Sequence, residues 1–336
     1  MKKPLSEMLL ATFDGGSMPL ADDFDEGKEN VNRVIMDKVS VGLDYPCYPL
    51  LPGSPSKPMN AALQYLIPLS KTNPNIRIIG QEAGLTSDHI VEPSGPIGVE
   101  RAEYFQRFLS EHAHGPIKGT RVCVTGPFTL ASYLDLKDVM HCGASKPEVI
   151  KTLTSILGRT CKHLSDLGID LVCIDEPFLT LMLGRKGEVL FKYDEQFILD
   201  SLNDLLSQLS GLSSIHVCGT ITPLIKDILL ASKADILDHE FNQNPGNEKF
   251  YSKEELESTN KFLAYGCVST TKLAVEPVPE ISASLENALR RYGDRILAKP
   301  DCAFGGMLGT PHAYDIALSK LRNMVAAAKQ VRQEHS

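Results

Sequence analysis

The strongest constraint on how this chain can fold is an alternation. Eight short apolar runs, at residues 8–13, 38–43, 121–125, 170–174, 213–217, 234–239, 262–268 and 295–298, are separated by longer stretches of helical periodicity. Most of the runs are rich in Val, Ile, Leu and Cys and do not alternate strictly, which is how strands buried on both faces read. Between them, residues 147–167 place Val149, Ile150, Leu153, Ile156 and Leu157 three and four apart. Residues 194–209 repeat this with Phe197, Ile198, Leu202, Leu205 and Leu206, and 280–292 and 311–331 follow the same rule. That spacing makes one apolar stripe on a helix. Strands alternating with helices form a parallel α/β sheet. Eight strands without a dinucleotide fingerprint predict a single (β/α)8 TIM barrel with an insertion after the second strand. The insertion is the Pro- and Gly-containing stretch 44–119, which holds at least two helices, one over 99–111. At 336 residues the chain suits one such barrel, so a single domain over 1–336 is expected.

Composition matters here for what it excludes. The net charge is -8 and no Lys/Arg-rich block occurs, so no nucleic-acid partner is expected. No apolar run reaches the ~18 residues of a membrane span, and no signal peptide stands out at the N-terminus. The eight cysteines are scattered through the chain, several within strand-like runs. A small secreted disulfide scaffold is patterned differently, and a reducing cytoplasm is the expected location.

Barrel active sites gather at the carboxyl ends of the strands, and several reactive side chains fall there. The fifth run ends in Ile215-His216-Val217-Cys218-Gly219. Side chains at i and i+2 of a strand share a face, so His216 and Cys218 can reach one ion together. A His and a Cys in a strand are common core residues, and the pair alone does not carry a metal site. Cys302 strengthens it, because Lys299-Pro300-Asp301-Cys302-Ala303-Phe304-Gly305-Gly306 is a polar turn where packing does not call for a thiol. Glu240 ends the sixth run. One imidazole, two thiolates and a carboxylate are a donor set for tetrahedral zinc. Asp175-Glu176-Pro177 closes the fourth run. That pair serves either as a site carboxylate or as a cap on the next helix. Gly15-Gly16-Ser17-Met18-Pro19 is either a plain turn or a source of backbone N–H groups for a substrate carboxylate. Cys123 and Cys173 lie inside strands and read as structural.

Taken together and in order, these elements resemble the catalytic barrel of cobalamin-independent methionine synthase. More broadly, they resemble the zinc-dependent thiol methyltransferases that share a barrel with uroporphyrinogen decarboxylase. The resemblance spans nearly the whole chain. It rests on Gly16-Ser17-Met18-Pro19, Thr125-Gly126-Pro127-Phe128-Thr129-Leu130, Ile174-Asp175-Glu176-Pro177, His216-Val217-Cys218-Gly219, Glu240-Phe241, Val275-Glu276-Pro277-Val278-Pro279-Glu280-Ile281 and Pro300-Asp301-Cys302. By that resemblance the zinc ligands are His216, Cys218, Glu240 and Cys302. Asp175 binds the amino group of homocysteine, and Gly16 and Ser17 bind its carboxylate. The family uses a further Glu to hold homocysteine, for which Glu100 or Glu103 is available here.

The chain also departs from the folate-using members. It has no length for their second barrel, it contains no Trp to stack a pterin, and Ser269-Thr270-Thr271 stands where they carry Asp-Ile-His. The shorter archaeal-type methionine synthases, single barrels, resemble it better. A corrinoid leaving group needs no proton, so a methylcorrinoid donor and a corrinoid-protein partner are expected, with zinc lowering the pKa of the acceptor thiol. The rival acceptor is another small thiol, as in a coenzyme M methyltransferase. A uroporphyrinogen-type decarboxylase ranks below both, because only Arg33 stands near the N-terminus where that enzyme places its arginines.

Overall fold

The computed structural model describes residues 8–19, 21, 28–49, 62–79, 82–85, 89–113, 115, 117–134, 142–183, 191 and 193–335. Its first elements are helices α1 (Lys28–Val41) and α2 (Leu63–Thr72), an antiparallel hairpin of β1 (Ile76–Ile79) and β2 (Glu82–Leu85), and α3 (Glu100–His112). Strand and helix then alternate: β3 (Arg121–Thr125), α4 (Pro127–Ser132), α5 (Pro147–Asp166), β4 (Leu171–Asp175), α6 (Phe178–Met182), α7 (Glu195–Leu206), β5 (Leu212–His216) and α8 (Pro223–Ala231). The chain continues through β6 (Ile236–Glu240), α9 (Lys253–Ser258), β7 (Phe262–Val268), α10 (Val278–Tyr292), β8 (Ile296–Pro300) and α11 (Ala313–Glu334). No helix among the described residues is long and apolar enough to cross a membrane.

Strands β3 to β8 form one six-stranded parallel sheet in sequence order. Each edge of it is hydrogen-bonded to a short N-terminal segment. Thr12 bridges Ala298 of β8, Phe13 bridges Tyr45, and Cys47 bridges Arg121 of β3. The amide of Ala298 donates to Ala11 at 3.0 Å, that of Tyr45 to Thr12 at 3.0 Å, and that of Tyr48 to Arg121 at 3.1 Å.

The period-2 alternation of a strand sorts the core into two. Val172, Ile174, Ile215, Leu237 and Leu263 face the helices and join a large cluster that includes Val149, Ile150, Leu153, Ile156 and Leu157 of α5. Their neighbours Leu171, Leu212, Ile236, Phe262, Ala264 and Leu297 face the other way and form a second cluster with Met8, Ala11, Phe13 and Tyr45. Each of these larger aliphatic or aromatic side chains contributes about 1.5–3 kcal/mol by leaving water.

Two expectations need correcting. Residues 38–43 are not a strand: 38–41 are the last turn of α1, with Val34, Ile35, Val39 and Val41 buried at helical spacing. The segment Tyr45 to Cys47 takes the place expected for that strand. The hairpin of β1 and β2 inside the insertion was not anticipated. The insertion's two helices, α2 and α3, were.

Candidate functional site

In a parallel sheet all carboxyl ends lie at one edge, and the register aligns them closely. Thr125 pairs with Asp175, Asp175 with His216, and His216 with Asp238. Glu240 ends β6 two residues beyond Asp238. Cys218 and Cys302 each lie two residues past the end of their strand.

The structure brings His216, Cys218 and Cys302 together, with their donor atoms within 4.8 Å of one another. His216 Nε2 is 3.0 Å from Cys218 Sγ and 3.7 Å from Cys302 Sγ, and the two sulfurs are 3.7 Å apart. Two zinc–sulfur bonds of about 2.3 Å at a tetrahedral angle span ~3.8 Å, so the thiol pair fits one ion. The Asp238 carboxylate orients the His216 ring: Nδ1 is 2.7 Å from Asp238 Oδ1, and an ionised carboxylate only accepts, so Nδ1 carries a proton and Nε2 faces the thiols. Burial lowers the ring's pKa, but Cys218 and Asp238 outweigh it and raise it well above the ordinary value in the metal-free site.

Asp238 is itself fully buried and anchored by two buried cations, Lys299 at 2.7 Å and Arg121 at 2.9 Å. Burial alone would raise its pKa, but Lys299, His216 and Arg121 outweigh this and hold it well below the usual carboxylate range. The hydrogen bond from Cys218, helped by His216, pushes the Cys302 thiol well down against its burial. Glu240 is not drawn into the trio. It is buried, and its Oε2 accepts from Asn244 at 2.5 Å.

The Cys302 turn is fixed by its neighbour. Asp301 accepts the backbone N–H groups of Phe241, Asn242 and Gln243 at 2.8, 2.9 and 2.7 Å, tying the end of β6 to the end of β8. Phe304 donates to the Ser17 carbonyl at 2.9 Å. Glycine is required at Gly15, because a Cβ there would lie 2.6 Å from the amide nitrogen of Ala303.

Beside the trio lies a cavity of about 90 Å³ whose wall includes Ser17, Tyr48, Tyr65, Arg101, Thr125 and Asp175. Asp175 is half-buried on this wall. Its dry surroundings push its pKa up, although His216 and Arg121 pull the other way.

The other expected substrate contacts fare differently. Gly16 lines the cavity with φ 93°, but its amide already donates to Asp14 at 2.9 Å. That loop is pinned by Lys38, whose buried ammonium bonds Asp14 at 2.6 Å, the Gly16 carbonyl at 2.7 Å and the Cys47 carbonyl at 3.0 Å. Glu100 is exposed on the first turn of α3 and is absent from the cavity wall, while Glu103 pairs with His163 at 2.8 Å. One residue of helix is ~100° of rotation, and it is Arg101 that faces the cavity. Sequence reasoning also missed Asp238, Arg121 and Lys299. The available signal was charge at alternating positions within apolar runs.

Fold and site together define an α/β enzyme with a soft-metal donor set at the carboxyl edge of its sheet. The family described as "Cobalamin-independent synthase, Catalytic domain" matches residues 86–330. A methionine synthase of Methanothermobacter thermautotrophicus is 31% identical over 240 residues, covering 71% of this chain and 72% of its own. A 5-methyltetrahydropteroyltriglutamate–homocysteine methyltransferase of Bacillus velezensis is 25% identical over 251 residues, covering 73% of this chain and 30% of that protein. Among solved structures, a B12-independent methionine synthase from Shewanella superposes with a TM-score of 0.66 at 17% identity, covering 97% of this chain and 98% of the other. The chain belongs to the cobalamin-independent methionine synthase catalytic family, and it is a methyltransferase. The expected methylcorrinoid donor and corrinoid-protein partner find no support, since the family is by its description cobalamin-independent.

Proposed function

We propose that this chain is a single (β/α)8 barrel that methylates the thiol of homocysteine to form methionine, with zinc held by His216, Cys218 and Cys302. The observation that carries the reading is the convergence of those three donors beside a cavity walled by both Asp175 and Arg101. Homocysteine offers the complementary groups, an ammonium for Asp175 and a carboxylate for Arg101. A guanidinium is the natural partner of a carboxylate. Ser17 adds a polar group on the same wall. Zinc bound by this set supplies Lewis acidity that lowers the pKa of a nearby thiol from about 8.5 toward neutrality.

The remaining work falls to the chain. Asp238 fixes the His216 ring. Lys299 and Arg121 place two positive charges behind a centre rich in thiolate, which eases the arrival of another anion there. Glu240, close by on β6, is the proposed fourth ligand. The proposed donor is a methylated reduced pterin, as the name of the Bacillus relative suggests. Tyr48, from the insertion, is half-buried on the cavity wall and offers aromatic surface where the chain lacks Trp. In the transfer a sulfur–carbon bond forms as the donor's nitrogen–methyl bond breaks, and the freed nitrogen takes up a proton. Cys47, Cys123, Cys161, Cys173, Cys218, Cys267 and Cys302 are in no disulfide, which suits a reducing cytoplasm.

The test is methionine formation from homocysteine by zinc-loaded protein, with methyltetrahydropteroylglutamate or methylcobalamin as donor. Methionine from the pterin donor, abolished by chelation, is the expected result. No methionine with either donor contradicts the reading, and methionine from methylcobalamin alone overturns the donor.

A further inference from the structure

We infer that the chain holds a second soft-cation site, made by Cys123, Cys173 and Asp175 with Cys47 beside them. It shares no ligand with the His216 centre and does not depend on the proposed reaction. Ladder pairing sets Cys123 opposite Cys173 and Cys173 opposite Ser214. Laterally paired residues share a face of the sheet, and Asp175 follows two residues on from Cys173 on that same face. The donor atoms of Cys123, Cys173 and Asp175 lie within 4.8 Å of one another. Cys47 Sγ is 3.7 Å from Cys123 Sγ, and Cys173 Sγ donates to Asp175 Oδ1 at 3.5 Å.

Simple packing does not account for this layer. The level below it sets Leu171 and Leu212 beside Arg121, where interior layers of such sheets are generally aliphatic. The next level is Cys, Cys and Ser instead. Two buried donors against it have no hydrogen-bond partner among the described residues, Ser214 Oγ in that level and Arg121 Nε from the level below, with 1% of Arg121 and 0% of Ser214 exposed. Arg121 interacts electrostatically with the thiols of Cys123, Cys173 and Cys47, and Ser214 neighbours Cys173 on the ladder. A neutral thiol is a weak acceptor and a thiolate a good one. A cation bound by these sulfurs would hold them as thiolates, and thiolates at these positions would accept from both donors. The 3.7 Å between the Cys47 and Cys123 sulfurs matches the ~3.8 Å edge of a tetrahedral thiolate site, which makes Cys47 the candidate fourth ligand. Sulfur donors select a soft d10 ion, and the carboxylate favours a divalent one, zinc or cadmium. Because Asp175 also walls the cavity, an ion held here and a cationic ligand group in the cavity compete for one carboxylate.

The test is cadmium titration of metal-free, reduced protein, followed by the thiolate-to-cadmium charge-transfer absorption and by metal analysis after gel filtration. Wild type is expected to take two cadmium ions per chain. Cys123→Ala and Cys302→Ser should each take one, and the double variant none. Cadmium retained by Cys123→Ala at the Cys302-dependent centre reports that this variant is folded. If it does not fold, Cys47→Ala is the second variant, with weakened binding of one ion expected. Saturation of wild type at one ion overturns the inference, as does a folded Cys123→Ala that still binds two. Loss of the Cys302-dependent ion alone would instead count against the zinc centre.

Discussion

Replacing Asp238 with Asn tests whether the His216 centre is held from behind. Asp238 has no exposed surface and takes three charged or polar partners, His216, Lys299 and Arg121. Asn keeps the shape and removes the charge, so two buried cations lose their counter-ion. Breaking a buried pair from one side costs roughly 3–5 kcal/mol. Both cations keep backbone acceptors, Arg121 on Asp14 and Lys299 on His239 at 3.2 Å and Asp301 at 2.6 Å. We therefore expect the lower end, about 3 kcal/mol, within the ~5–15 kcal/mol stability of a typical domain. The His216 ring also exchanges an ionised acceptor for a neutral amide oxygen, and mutation of such a partner typically lowers metal affinity about 10- to 100-fold. Urea denaturation measures the first effect and competition with a chromophoric zinc chelator the second. Adding Lys299→Met to the variant should recover part of the stability and none of the zinc affinity, since only charge balance is restored. A single variant that loses under ~1 kcal/mol and binds zinc like wild type refutes the reasoning.

Asp175→Asn should raise the KM for homocysteine roughly ten- to hundredfold while the zinc that depends on Cys302 stays in place, as expected for one lost charge-assisted hydrogen bond. An unchanged KM would remove Asp175 from the substrate site. Arg101→Met should raise KM by a similar factor with little change in kcat, while Glu100→Gln should do neither; steady-state kinetics separates the two. Acid stability should depend on Asp44. Burial opposes its ionisation, but the Thr12 amide, Arg332 and Lys118 outweigh that and hold its pKa below the ordinary value. Its stabilisation is therefore present above about pH 4 and lost as the pH falls through the lowered folded value. Asp44→Asn should flatten the fall of Tm between pH 4 and pH 2, and an unaltered slope would contradict it.

The sequence revealed most where a residue's type is explained by little besides its role. His216, Cys218 and Cys302 stood out because thiols in a polar turn or one residue from a histidine need a reason. The six strands from β3 onward were legible because each is a run buried on both faces. The two N-terminal segments were not. Tyr45-Pro46-Cys47 is too short for a pattern, and the Val and Leu residues of 38–43 fit a helix end as well as a strand. Glu100 failed for a similar reason, since a helix position is read to within a residue and one residue turns the side chain away. Asp238, Lys299 and Arg121 were hidden because a buried charge is chosen by its neighbours in space: Asp238 and Arg121 belong to apparently apolar runs, and Lys299 reads as part of the polar turn around Cys302. Gly16 was read as a free amide donor because its partner, Asp14, and the Lys38 that holds both are assembled only by folding.

The heart of the account is that the His216–Cys218–Cys302 centre takes up the acceptor thiol in deprotonated form. Calorimetric titration of homocysteine into zinc-loaded protein, at pH 7 in buffers of different ionisation enthalpy, counts the protons released. A free thiol with a pKa near 8.5 is mostly protonated at that pH, so the account predicts release of about one proton per homocysteine bound, and almost none after chelation or in Cys302→Ser. Tight binding to the zinc-loaded wild type without proton release would contradict it.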